Sequence, residues 1–91
     1  MELFEWDDDK AATNETKRGI TFDEAETVFT DGNAATIDDI DHSDDELRFL
    51  IIGHSNDNRM LTVSYTYRGE KIRLISALRA VRSERQIYEE G

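Results

Sequence analysis

Apolar residues recur along the chain in two rhythms, a helical one up to about residue 30 and a two-residue one from about residue 47. Leu3-Phe4-Glu5-Trp6 predicts a short first strand. Asp7 or Asp8 then N-caps a helix that ends near Gly19, with the neighbouring acids favourable to its dipole. That helix offers only Ala11 and Ala12 for burial before Ile20. Thr21 with Glu24 makes a capping box, and Phe22, Ala25, Val28 and Phe29 follow at helical spacing. The second helix is therefore short and stops near Asp31-Gly32. Ala34 to Ile40 reads as a strand, and Asp38 to Glu46 as a solvated acidic loop.

Leu47 to His54 and Met60 to Tyr67 are rich in β-formers, with turn residues Ser55 to Asn58 between them. A tight turn at Arg68-Gly69 leads into a strand from Lys71 to Ser76. Pairing Tyr67 with Glu70 sets Tyr65 opposite Ile72 and Val63 opposite Leu74, an apolar face. The other face then carries Thr66 beside Lys71 and Ser64 beside Arg73. From Ser76 or Ala77 to about Glu89 the spacing predicts a helix, with Leu78, Val81 and Tyr88 inward and Arg79, Arg82 and Arg85 outward. The result is an α+β chain: a short N-terminal strand, two helices, an antiparallel sheet of three or four strands and a C-terminal helix. With 91 residues, a single domain over 1–91 is expected.

Composition narrows the function. The chain has no cysteine, so a disulfide scaffold and a cysteine zinc site are excluded. Its longest apolar run is Phe49-Leu50-Ile51-Ile52, and no basic-then-apolar leader opens it, so a cytoplasmic protein with no membrane partner is expected. The net charge of −10 is unevenly placed. Residues 1–58 hold 17 acids against 4 bases, whereas residues 59–85 hold 7 bases against 2 acids. A basic module on an acidic body points to an anionic partner for one surface. The competing reading is that these arginines are solvated or paired with the chain's own carboxylates.

The assembled residues form a recognisable pattern. It runs Phe4-x-Trp6-Asp7-x-x-Lys10, then Asn14-x-x-Lys17-x-Gly19-Ile20-x-Phe22-x-Glu24-Ala25, then Val28-Phe29-x-Asp31. Glu46-x-Arg48, Ile52-Gly53, Leu61-x-Val63-x-Tyr65-Thr66-x-Arg68 and Ile72-Arg73-x-Ile75-Ser76-Ala77 follow, with Glu84 and Tyr88 closing. This order, over nearly the whole chain, resembles the BrnT toxins of bacterial type II toxin–antitoxin systems. The resemblance implies a RelE-like fold, metal-independent RNA cleavage and no cofactor. It also implies neutralisation by a BrnA-type ribbon-helix-helix antitoxin in a hetero-oligomer, with DNA reached only through that partner. Two positions differ from the family. Lys17-Arg18-Gly19 stands where members commonly read Lys-His-Gly, and an arginine cannot exchange protons near neutral pH as a histidine can. Leu78 stands where an arginine usually follows the Ser-Ala of the last strand, with Arg79 one residue later.

Cutting RNA through its own 2′-hydroxyl needs a proton acceptor, cations on the phosphoryl oxygens and a proton donor. Arg73 is the first candidate for the phosphate clamp, because its planar fork pairs with phosphate. Arg48 and Arg68 come next. A lysine among cationic neighbours can serve as base; Lys17 fits the family motif and Lys71 is the alternative. Lys71, Arg79 and Arg82 are expected to bind RNA. His42 lies among aspartates, and His54 is six residues beyond Arg48, roughly 20 Å along a strand. The aspartate loop lacks the EF-hand spacing, no metal site is expected, and no glycine-rich phosphate loop occurs. The second reading, from the Arg18 and Leu78 differences, is an antitoxin-binding module of the same fold with weakened or lost turnover.

Overall fold

The computed structural model describes residues 3–42 and 46–91. Helix α1 (Asp8–Arg18) begins where the Asp7 carboxylate accepts the N–H groups of Asp9 and Lys10. Asp8 and Asp9 in its first turn and Lys17 and Arg18 in its last complement the helix dipole. Gly19 ends it at φ +70°, a conformation that costs a side-chain-bearing residue. Helix α2 (Phe22–Thr27) continues into a 3₁₀ turn, Val28–Thr30. Thr21 Oγ1 accepts the Glu24 N–H, but the reciprocal half of the expected capping box is absent. The Glu24 carboxylate instead takes Arg59, through both Nε (2.9 Å) and Nη2, and the Ser55 hydroxyl (2.6 Å). An ion pair outcompeted a backbone cap, and it fastens α2 to the turn between the next two long strands.

The remaining elements are β1 (Phe4–Trp6), β2 (Ala35–Asp38), β3 (Phe49–His54), β4 (Met60–Arg68), β5 (Lys71–Arg79) and α3 (Arg82–Glu90). The sheet has five strands in the order β1-β5-β4-β3-β2, one for each segment that the sequence pattern reads as a strand. It is mixed, because β1 runs parallel to β5, pairing Glu5 with Arg73 and Trp6 with Leu74. The acidic loop contains a 3₁₀ turn, Ile40–His42, while residues 43–45 lie outside the described residues.

Two expectations are corrected at β5. The β4–β5 loop is Gly69-Glu70 rather than Arg68-Gly69, because Gly69 supplies φ +60° at the first loop position, as a type II′ turn requires. Tyr67 therefore pairs with Ile72, Tyr65 with Leu74 and Thr66 with Arg73, not with Lys71. The shift is even, so no side chain changes face. A bulge follows: Tyr65 pairs with Leu74 but Ser64 with Ser76, which leaves Ile75 as the extra residue. The second correction is the length of β5. Leu78 and Arg79 are strand residues opposite Thr62 and Leu61, not the start of a helix. The long edge offered by β4 overrides the local helical spacing, and α3 starts only at Arg82, with Val81 exposed at its N-cap.

Helices α1 and α2 and the 3₁₀ turn cover one sheet face. Ile20, Phe22, Ala25 and Val28 bury against Ile51, Leu61, Val63, Tyr65, Leu74 and Ala77. Edge-on ring contacts join Phe4 to Phe29, Phe29 to Tyr65 and Trp6 to Phe22. On the opposite face α3 packs against β3, where Ile52 is fully buried. Gly53 is required by close approach: a Cβ there would stand 3.0 Å from both Ala34 Cβ and Asp31 Oδ2 and 3.2 Å from Val28 Cγ1. Gly53→Ala is therefore expected to cost about 1–3 kcal/mol, the range for overpacking a filled core. A urea midpoint equal to that of the parent would show that the Asp31 loop yields freely.

Candidate active site

Alternation along β4 and β5 sends Ser64, Thr66 and Arg68 to the face away from α1 and α2, with Lys71, Arg73 and Ser76 beside them. Continuing the β3 ladder by one residue sets Arg48 opposite Thr66 on its other side. Arg48 and Arg73 thus flank Thr66 at about 10 Å, two strand spacings. Thr66 is buried and its hydroxyl donates to the Leu47 carbonyl at 2.6 Å, which fixes the strand between the two arginines. Arg48, Arg68 and Arg73 are brought to one face, and alternation sets Lys71 at its edge, where it also lines a pocket with Asp23 and Glu26 of α2.

The arginines already have acidic neighbours. Arg73 Nη1 donates to Glu5 Oε2 at 2.8 Å, and Arg68 Nη2 lies 3.9 Å from Glu46 Oε2. The pairing expected by the competing reading is therefore present at both. It does not close the site, because both pairs are partly exposed, and such pairs contribute only about 0–1 kcal/mol. A phosphodiester contacting several cations at once can replace Glu5 on Arg73.

Lys17 lies at the margin of that face. Lys10, Thr13, Asn14 and Lys17 recur on one side of α1 and form a wall of a groove of about 420 Å³. Ile75, Ser76 and Leu78 of β5 form its floor. Arg79 lies elsewhere. Arg79 pairs with the core residue Leu61, and its charge helps to hold the Glu24 carboxyl down, so it belongs to the helix-covered face. Arg82 is the exposed first residue of α3.

Proton-transfer candidates separate by environment. Burial, with a smaller contribution from Tyr67, pushes the Tyr65 hydroxyl up to about 12, which removes it from acid–base work near neutral pH. His42 pairs locally with Asp39 at 3.1 Å. His54 belongs to a cluster that the sequence reading did not find. The Tyr88 hydroxyl donates to Asp31 Oδ2 at 2.9 Å, and His54 Nδ1 lies 3.2 Å from the same hydroxyl oxygen, so Nδ1–H is the donor of that contact. The cluster ties α3 to the far end of β3, away from Arg48. Asp31 and Tyr88 both stand in the motif pattern, which was the available signal.

Two carboxylates link this architecture to pH. The Arg59 guanidinium holds the Glu24 carboxyl below its usual 4.5. The His54 backbone N–H, with help from Asn33 and Tyr88, holds Asp31 below its usual 3.8. A depressed folded-state pKa contributes stability that is complete above the ordinary carboxyl range and lost as pH falls through the folded value. Tm is expected to fall below about pH 4.5 less steeply in Glu24→Gln and Asp31→Asn than in the parent. Parallel Tm–pH curves for all three proteins would contradict this assignment.

Among the described residues, no helix is long and apolar enough to cross a membrane. A family model described as the ribonuclease toxin BrnT of type II toxin–antitoxin systems matches residues 6–84. No curated protein matches the chain. Among solved structures, the 1.1 Å crystal structure of the Brucella abortus ribonuclease toxin BrnT superposes with a TM-score of 0.67 at 22% identity. The alignment covers 89% of this chain and 100% of that one. At that identity the likeness is one of fold.

Proposed function

The chain belongs to the BrnT family of ribonuclease toxins of type II toxin–antitoxin systems, and from that membership we propose that it cuts RNA on the cationic face of its sheet without a metal ion. The observation that supports this reading is the convergence of Arg48, Arg68, Lys71 and Arg73 on one face, with Lys17 at its margin. Arg73 takes the scissile phosphate once Glu5 is displaced, and Arg48 and Arg68 neutralise charge that builds on its oxygens. Lys17 accepts the 2′-hydroxyl proton, with Lys71 the alternative base. Lys71 and Arg82 hold flanking phosphates; Arg79, on the other face, is reached only by RNA that wraps the sheet edge. A BrnA-type ribbon-helix-helix antitoxin covers the cationic face in a hetero-oligomer and carries the complex to DNA. The reaction takes place in the cytoplasm.

One observation favours a second reading, an antitoxin-binding module without turnover: Glu5 already occupies Arg73. Induced expression in a bacterium separates the two. The ribonuclease reading expects growth arrest with the parent and normal growth with Arg73→Ala at equal protein level. Normal growth with soluble, folded parent protein would favour the module.

A further inference from the structure

The groove beside Lys17 has a lining that phosphate clamping alone does not need. Its cations, Lys10, Lys17 and Arg18, stand on α1, while Ile75 and Leu78 contribute partly exposed aliphatic surface to the floor on either side of Ser76. Ile75 is there because the β-bulge leaves it without a partner on β4, and bulges commonly re-aim a side chain beside an active site. The volume of about 420 Å³ lies within the range of small-ligand sites, which combine apolar walls with a few placed polar groups. Ser76 shares a face with Arg73 and follows it by three residues, so the groove opens onto the cationic face within about 10 Å.

We propose that this groove is a nucleotide subsite, in which Ile75 and Leu78 pack on one unstacked base while Lys10 and Arg18 hold the phosphates on either side of it. The assignment rests on the reading of the chain as an RNA-cutting enzyme. A nucleotide is the ligand that offers a flat apolar face flanked by anionic charge, and single-stranded RNA presents it splayed from its neighbours. Asp9 also lines the groove and offers an acceptor to a base edge. Leu78 thereby becomes a specificity residue rather than a charged clamp.

The test is binding of an uncleavable 2′-O-methyl RNA hexamer, followed by fluorescence anisotropy, beside a hexamer of the same length made of abasic sugar-phosphate units. Leu78→Ser is expected to weaken the RNA hexamer about tenfold and to leave the abasic one unchanged. Ile75→Ser is expected to do the same and serves if Leu78→Ser does not fold. Arg73→Ala is expected to weaken both hexamers. Unchanged RNA affinity in a folded groove variant, with Arg73→Ala still weakened, would overturn the subsite and leave the RNA reading standing. Failure of the parent to bind either hexamer would overturn both.

Discussion

Asn14→Ala is expected to lower the unfolding free energy by about 2–4 kcal/mol, a large fraction of a small domain's stability. Asn14 is buried, and its amide group makes three bonds. Nδ2 donates to the Ile20 carbonyl at 2.9 Å and to the Ala77 carbonyl at 3.0 Å, while Oδ1 accepts the Ala77 N–H at 3.0 Å. The reason lies in the sheet edge. β1 ends opposite Leu74, so among the described residues the outer edge of β5 beyond that point has no strand beside it. One side chain takes the place of the missing strand at Ala77, which is fully buried. Alanine leaves one donor and two acceptors stranded away from water. Asn14→Asp can still accept from Ala77 but sets a carboxylate against two carbonyls, and is expected to be worse at neutral pH than in acid. Urea unfolding checks both. An Asn14→Ala midpoint equal to the parent's would mean that water reaches Ala77 and that α1 is held by other contacts.

Arg73→Ala is expected to reduce the rate of RNA cleavage by about 10²–10³-fold, the usual loss when one donor to a developing oxyanion is removed. Arg73→Lys recovers only part, because an ammonium cannot make the paired contact of a guanidinium. Glu5 supplies an independent arm. It holds Arg73 at 2.8 Å in the free protein, so it competes with the phosphate. Glu5→Gln is expected to tighten RNA binding and to leave the cleavage rate undiminished. If Glu5→Gln instead destroys cleavage while the protein stays folded, the carboxylate is part of the chemistry rather than a placeholder. Initial rates on a short fluorescent RNA separate these outcomes.

The faces of the sheet were legible in the sequence because alternation survives an even slip. The loop at Gly69-Glu70 moved the register by two, and Thr66, Lys71 and Arg73 stayed on the face assigned to them. Caps were legible for the same local reason: Asp7, Gly19 and Thr21 act within four residues of themselves. What could not be read is long-range. Leu78 and Arg79 carry helical spacing, but β4 offers them a ladder, and the ladder wins. Glu24 fits a capping box until Arg59, 35 residues on, takes its carboxylate. Asn14 stands in the motif pattern but has no apolar signature, so nothing local marks it as the anchor of a helix with little to bury. The candidate site divides likewise. Arg48, Arg68, Lys71 and Arg73 follow from alternation, whereas the partners Glu5 and Glu46, the groove floor and the place of Arg79 need the tertiary arrangement.

If the cationic face and the adjoining lysine cut RNA without a metal ion, cleavage survives chelation and is lost when either is removed. The most direct measurement incubates purified parent, Arg73→Ala and Lys17→Ala proteins with total RNA in EDTA, with and without ribosomes. Fragments are expected from the parent and intact RNA from both variants. Equal cleavage by all three would place the activity elsewhere, and no cleavage by the parent even with ribosomes would contradict the account.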